Sequence, residues 1–289
     1  MDRPGGDARL ADARLFALTL LAMVAFAGNS LLCRAALKSS PIDAASFTTI
    51  RIASGAMALW VIVRWRGALP TGEGNWTSAL ALFAYAAAFS FAYVSLTAAT
   101  GALLLFGAVQ VTMIGWGFRA GDRLGPWQLA GVLFAFAGLV GLLLPGLSAP
   151  PLEGALLMLA AGIAWGVYSL RGRGGGDPTR VTAGNFMRAV PLATGLSFAM
   201  LPSTSIDARG VGYAVASGAL ASGVGYAIWY SALKGLGRST AATIQLSVPI
   251  LAAAGGIVFL GEALTPRLVI ASAVILGGIA VAILARPRA

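Results

Sequence analysis

The sequence predicts an all-α integral membrane protein of ten transmembrane helices, arranged as two inverted five-helix repeats. Three observations lead there. First, 58% of the 289 residues are hydrophobic and 10% are charged, with a mean hydropathy of +0.84. A soluble domain carries about 25% charged residues, so no polar shell can be drawn from this chain and most of its surface must face lipid. Second, apolar runs of about 18–23 residues recur ten times, each long enough to cross a hydrocarbon core of about 30 Å at about 1.5 Å per residue. Third, the basic residues alternate between the two faces that ten crossings define.

The runs follow in order. A polar opening of mixed charge, residues 1–14, reads as a cytoplasmic tail. Leu15–Leu37 comes next, too long for the core of a signal peptide and retained as the first span. The turn SSP at 39–41 leads to Ala44–Val63, and Trp76–Thr97 forms the third span. A break around Thr97–Gly101 separates it from Gly101–Phe118. The fifth span is Gly125–Leu144, opened by Pro126, a residue suited to the first turn of a helix. The linker PGLSAPP at 145–151 precedes Leu152–Leu170, and RGRGGGDP at 171–178 precedes Val181–Leu201. After LPSTS at 201–205 come Val211–Leu233, Thr240–Leu260 and Thr265–Leu284, with 285–289 as a second cytoplasmic tail.

Fourteen basic residues fall on the face that carries both termini, among them Arg64, Arg66, Arg119, Arg171 and Arg173. Four fall on the opposite face: Arg34, Lys38, Arg209 and Arg267. Positive residues collect on the cytoplasmic side, so both termini are expected there, in a bacterial inner membrane.

The linker at 145–151 divides the chain into 15–144 and 152–284, with five spans each. An odd number of spans turns one repeat upside down relative to the other. The segments GDRLGP at 121–126 and GEALTP at 261–266 carry the repeat, pairing Gly121 with Gly261, Asp122 with Glu262, Leu124 with Leu264 and Pro126 with Pro266; Gly138 and Gly278 follow. Fainter echoes pair Phe26-Ala27-Gly28-Asn29 with Ala164-Trp165-Gly166-Val167, and Phe47 and Arg51 with Phe186 and Arg188. Inverted repeats are the signature of secondary transporters, whose central site opens first to one side and then to the other.

Composition excludes other classes. The net charge of +10 is spread over span ends and forms no nucleic-acid stripe. One cysteine, Cys33, and no histidine leave no disulfide, no metal site and no cofactor to expect. All ten carboxylates lie in tails, connectors or span ends. Enzyme chemistry, proton coupling through a buried acid, and a permanent organic cation as main substrate are therefore all disfavoured.

Ten spans in two halves, an acid after spans four and nine, and a proline opening spans five and ten resemble the drug/metabolite transporter superfamily, EamA-type. Within it the chain is most similar to the bacterial YddG-type exporters of aromatic and other amino acids. It departs from the family pattern at Pro249, thirteen residues before Glu262, whose counterpart before Asp122 is Val109. The paired proline kink is only half present.

Each candidate residue has a structural reading beside a functional one. Arg51 and Arg188 enter the membrane; they snorkel or cap a helix end, or they meet a substrate carboxylate or a gate, and their pseudo-equivalent positions favour a shared structural role. Asn29, Gln110 and Gln245 are helix–helix glue or site lining. Tyr85, Phe89 and Tyr93 recur every four residues on one helical face. With Trp165, Tyr168, Tyr226 and Ser222 they are candidates to line a cavity, whereas Trp60, Trp65, Trp76, Trp116 and Trp127 suit the interface belt. Gly28, Gly166 and Pro249 are candidate hinges. Asp122 and Glu262 are expected to sit at the positive ends of the helices that follow them.

An aromatic cavity with amides, hydroxyls and no fixed negative charge suits a small neutral or zwitterionic solute. The expectation is a monomeric amino-acid exporter working by alternating access, facilitated or weakly coupled rather than proton-driven. The alternatives are a carrier for another metabolite or drug, and a membrane protein that does not transport.

Overall fold

The structure, a computed structural model, describes residues 4–67, 73–119, 125–146, 149–172, 176–236 and 238–285. Helix α1 spans Pro4–Ser39, so the expected tail is helical from its fourth residue. Proline suits a first turn, and the Ala, Leu and Arg that follow are strong helix formers; the apolar part begins at Ala13.

Local chemistry sets the next boundaries. Helix α2 (Ala44–Trp65) starts at Asp43, whose carboxylate accepts the N–H groups of Ala45 and Ser46, both at 2.9 Å. Helix α3 (Trp76–Ser95) starts at Asn75, whose side chain accepts the Ser78 N–H at 2.8 Å. The break before α4 (Ala98–Arg119) lies at residues 96–97 and not at 97–101 as expected. The Thr97 hydroxyl accepts the Thr100 N–H, an ordinary helix start. Gly101 lies inside the helix, where a Cβ would stand 2.4 Å from the Tyr93 ring. It is a packing glycine, not a breaker.

Helices α5 (Pro126–Leu143) and α6 (Leu152–Arg171) follow, then α7 (Pro178–Ala199), capped by Asp177, and a 3-10 turn at Leu201–Ser203. Helix α8 (Ala208–Leu233) is wound as a π-helix over Ala216–Val224. Helix α9 (Thr240–Leu260) belongs to two helical pieces, Arg238–Gln245 and Ser247–Leu260. The interruption falls where Pro249 requires it: the proline has no N–H for the carbonyl four residues back, Gln245, and its ring crowds that carbonyl. Helix α10 (Pro266–Leu284) ends the described chain.

Among the described residues, nine helices are long and apolar enough to cross a membrane, which makes this a multi-pass membrane protein. The expected seventh span is not one of the nine. It corresponds to α7, a helix of 22 residues that carries Arg180 and Arg188 and is less apolar than the rest.

Helix pairs hold the assembly together. The pairs are α5 with α10, α2 with α7, α3 with α6, α1 with α8, α4 with α6, α1 with α9, α2 with α8, α3 with α7, and α4 with α9. In the α5–α10 pair the chains run antiparallel: Gly131 lies against Gly278 and Ala282, and the Arg267 guanidinium donates to the Gly141 carbonyl at 2.9 Å near the other end. A Cβ on Gly131 would come within 2.5 Å of the Gly278 carbonyl oxygen, so glycine sets the separation. The α2–α7 pair is also antiparallel, with Thr49 bonded to Ala193 at one end and Arg66 to Thr179 at the other. Trp60, Trp65, Trp76, Trp116 and Trp127 are all exposed, as interface anchors should be.

Candidate functional site

The centre of the molecule holds a connected group of aromatic rings. Trp165 of α6 is its hub, with ring centroids 4.8 Å from Tyr85, 5.1 Å from Tyr226 and 5.4 Å from Tyr168. Tyr85 continues through Phe89 to Tyr93 along α3. Tyr226 of α8 meets Phe26 of α1 and Phe186 of α7. All six aromatic residues proposed from sequence therefore belong to one network, joined by Phe26 and Phe186.

A polar network threads the rings. The Ser217 hydroxyl donates to Asn29 Oδ1 at 2.6 Å, and Asn29 Nδ2 donates to Tyr85 Oη at 3.2 Å. Arg51 Nη2 donates to the same Tyr85 oxygen at 3.0 Å. The guanidinium lies 4.7 Å from the Phe89 centroid and 5.2 Å from the Tyr85 centroid, a cation–π contact on two faces. Arg51 is 2% exposed and its Nη1 has no hydrogen-bond partner. The two ion pairs among the described residues, Arg34–Glu262 and Arg180–Glu73, do not involve it.

The π segment of α8 supports this arrangement. A Cβ on Gly218 would stand 2.1 Å from the Arg51 carbonyl oxygen and from Ser54 Oγ, so α2 and α8 approach backbone to backbone. Ser217 points to Asn29, and Ser222 is buried with its hydroxyl unpartnered. π segments recur at functional sites because the extra residue per turn re-aims side chains.

Other sequence candidates lie elsewhere. Gln110 is buried with Nε2 unpartnered, and no described hydrogen bond or ring contact joins it to the network. Gln245 ends the first piece of α9. Gly166 is a packing residue, since a Cβ there would meet Thr112 at 2.9 Å. Gly28 lies in an unbroken α1 beside open space. Tyr168 also receives the Asn185 amide at 3.5 Å. Asp122 lies outside the described residues.

Arg51 and Arg188 are not equivalent. Arg51 lies eight residues past the Asp43 cap, whereas Arg188 lies eleven past Asp177, and the position matching Arg51 is Asn185. Arg188 donates to the Glu73 carbonyl at 2.7 Å and so fastens the connector before α3.

Glu262 departs from expectation too. Gly261, with φ of 62°, turns the chain so that the next side chain faces inward. Glu262 Oε1 accepts Arg34 Nε at 3.0 Å, and Oε2 accepts the Ala98 N–H at 2.8 Å. The positive helix end it serves is that of α4; α10 is capped by Thr265 instead. Arg34 Nη1 donates onward to the Tyr93 and Val94 carbonyls, and Lys38 to the Leu260 carbonyl. These bonds latch α1, the α3–α4 break and the α9–α10 turn on one face. Arg34 could have been found from sequence, as a base on the same expected face as Glu262; Ser217 carried no such signal.

The connectors hold two further carboxylates. Burial opposes ionisation of Asp43, but hydrogen bonds from the Ser46 side chain and the Ser46, Ser205 and Ala45 N–H groups outweigh it and hold the carboxyl below its usual range. Asp177 is lowered likewise: burial is outweighed by the Arg180 and Thr179 N–H groups and the Arg66 charge. Asp43 also binds Ser205 across the connectors, N–H to carboxylate at 3.0 Å.

Comparison with known proteins gives a consistent result. The profile of the EamA-like transporter family matches residues 152–284. An uncharacterized protein of Pseudomonas aeruginosa is 59% identical over 271 residues, 93% of this chain and 94% of its own. The threonine/homoserine exporter RhtA of Salmonella typhimurium is 36% identical over 148 residues, 48% of this chain and 49% of the exporter. A solved crystal structure is similar in fold, with a TM-score of 0.66 and 23% identity, covering 93% of this chain and 96% of that one.

Proposed function

We propose that the chain is a member of the EamA-like transporter family, whose profile matches residues 152–284, and that it exports amino acids, aromatic and other neutral or zwitterionic ones, across the bacterial inner membrane by alternating access. The observation that carries this reading is the central network itself. Rings from α1, α3, α6, α7 and α8 surround a buried arginine and amide, with no carboxylate bonded to them among the described residues. Rings take the solute's side chain, hydrogen-bond donors take its polar end, and an organic cation finds no counter-charge. The likeness to a threonine/homoserine exporter over half of each chain supports the substrate class.

The packing pattern supports two related halves. Exchanging each helix number n with its partner five away turns α3–α6 into α1–α8, α4–α6 into α1–α9, and α2–α8 into α3–α7, all of which are packed pairs. The pairs α2–α7, α4–α9 and α5–α10 map onto themselves. That supports ten crossings in two inverted repeats, with α7 as the seventh. The excess of arginine and lysine on the face of the termini supports a cytoplasmic location for both. Facilitated or weakly coupled transport is the reading that fits a network to which no carboxylate is bonded among the described residues.

The test is counterflow in proteoliposomes loaded with an unlabelled amino acid, read as uptake of the labelled one with and without a pH gradient. Exchange that persists without the gradient is the expected result. Flux strictly dependent on the gradient, or none for any amino acid, would overturn the proposal.

A further inference from the structure

The hydrogen-bond inventory of the central network is unbalanced, and the imbalance names the ligand. Asn29 Oδ1 is occupied by the Ser217 hydroxyl. Tyr85 Oη already accepts from two donors, Asn29 Nδ2 and Arg51 Nη2. Its own proton, the second proton of the Asn29 amide and the Arg51 Nη1 group remain to be given. The network has spare donors and a fixed positive charge, and the acceptor sites it has left, on Asn29 Oδ1 and the Ser217 hydroxyl, are neutral ones. Each carboxylate whose side chain the structure describes lies elsewhere: Asp43, Asp177 and Asp207 cap helices, Glu73 pairs with Arg180, Glu153 is in the first turn of α6, and Glu262 is held by Arg34 and Ala98.

We infer that Arg51 is the carboxylate-binding residue of this site, and that the site recognises monocarboxylates with an aromatic or apolar body whether or not they bear an ammonium group. The inference rests on the transport reading above. A carboxylate is an acceptor-only group, and a guanidinium binds it in two parallel charge-assisted bonds. An ammonium is donor-only; beside the Arg51 charge it is repelled, and no carboxylate among the described residues is bonded to the network to offset that. Replacing it with a 2-oxo or 2-hydroxy group removes a repelled charge and adds an acceptor. The groups next to the guanidinium are apolar faces, Phe89 at 4.7 Å and Tyr85 at 5.2 Å with Trp165 packed on Tyr85, which suits a ligand with an aromatic or apolar body.

The experiment measures binding of L-phenylalanine, phenylpyruvate, 3-phenyllactate, phenethylamine and L-threonine to the full chain in nanodiscs, by titration calorimetry. Both ammonium-free acids are expected to bind at least as tightly as phenylalanine, and phenethylamine not to bind. Arg51→Gln should weaken all acids tenfold or more, and Arg51→Lys should restore part of the loss. If phenethylamine binds as tightly as phenylalanine, or phenylalanine binds and the two ammonium-free acids do not, the inference fails and amino-acid transport stands. If no member binds, both fall. Should Arg51→Gln fail to fold, the wild-type panel decides alone.

Discussion

At the scale of single residues, the chain places its few charges where each has a specific partner. Glu262 is the clearest case, because one carboxylate joins three segments through Arg34 and the Ala98 N–H. Glu262→Gln retains an acceptor for Ala98 but removes the charge facing Arg34. It should cost about 1.5–3 kcal/mol, the range of a hydrogen bond to a charged group. The latch should then open more often. Cys33, fully buried beside Arg34, supplies the readout: an impermeant maleimide should alkylate it faster in Glu262→Gln than in wild type. Equal rates would mean that the latch does not control that face. Asp43 gives a pH-dependent counterpart. Its carboxyl is held below the usual range, so its contribution to stability is complete above the unfolded carboxylate pKa of about 3.9 and is lost as pH falls through the lower folded value. Asp43→Ala should lose about 1 kcal/mol at neutral pH. Asp43→Asn should recover most of that and flatten the fall in Tm below about pH 4.

At the scale of elements, two irregular helices flank the network for different reasons. The break in α9 was readable in advance, since Pro249 disables the bond to Gln245 four residues earlier by a local rule. Pro249→Ala should join the two pieces, raise Tm and slow counterflow; a variant with unchanged turnover would remove this break from the mechanism. The π segment of α8 was not readable. Its residues, ASGALASGV, have no local preference for that winding, and it is the contact of Gly218 with the α2 backbone that belongs to it. Gly218→Ala should therefore destabilise by about 1–3 kcal/mol or more, the range for overpacking, as measured by thermal unfolding. The same contrast runs through the site. Aromatic side chains at helical spacing on α3 announced a shared ring face, whereas the meeting of Arg51 with Tyr85 and Asn29 joins residues 34 and 56 positions apart. The equivalence assigned to Arg51 and Arg188 failed for a related reason. Matching phenylalanines set the register in the sequence reading, and the helix caps set it in the fold.

At the scale of the whole molecule, span lengths carried the multi-pass helical architecture, because crossing a bilayer constrains length more tightly than any soluble fold does. Which helices touch depended on packing that no single span encodes. Reporters fused after residue 285 should be active on the cytoplasmic side only, in keeping with the charge asymmetry; activity on the other side would invert the topology. The α5–α10 pair adds a constraint on assembly in time. The glycine face of α5 is complementary to a helix that begins about 120 residues later, which at roughly 5–20 residues per second is a delay on the order of ten seconds. Throughout that interval the first half is in the membrane without the partner that its last helix fits. Synthesis of this protein must therefore proceed with one close-packing surface held open until the final helix arrives.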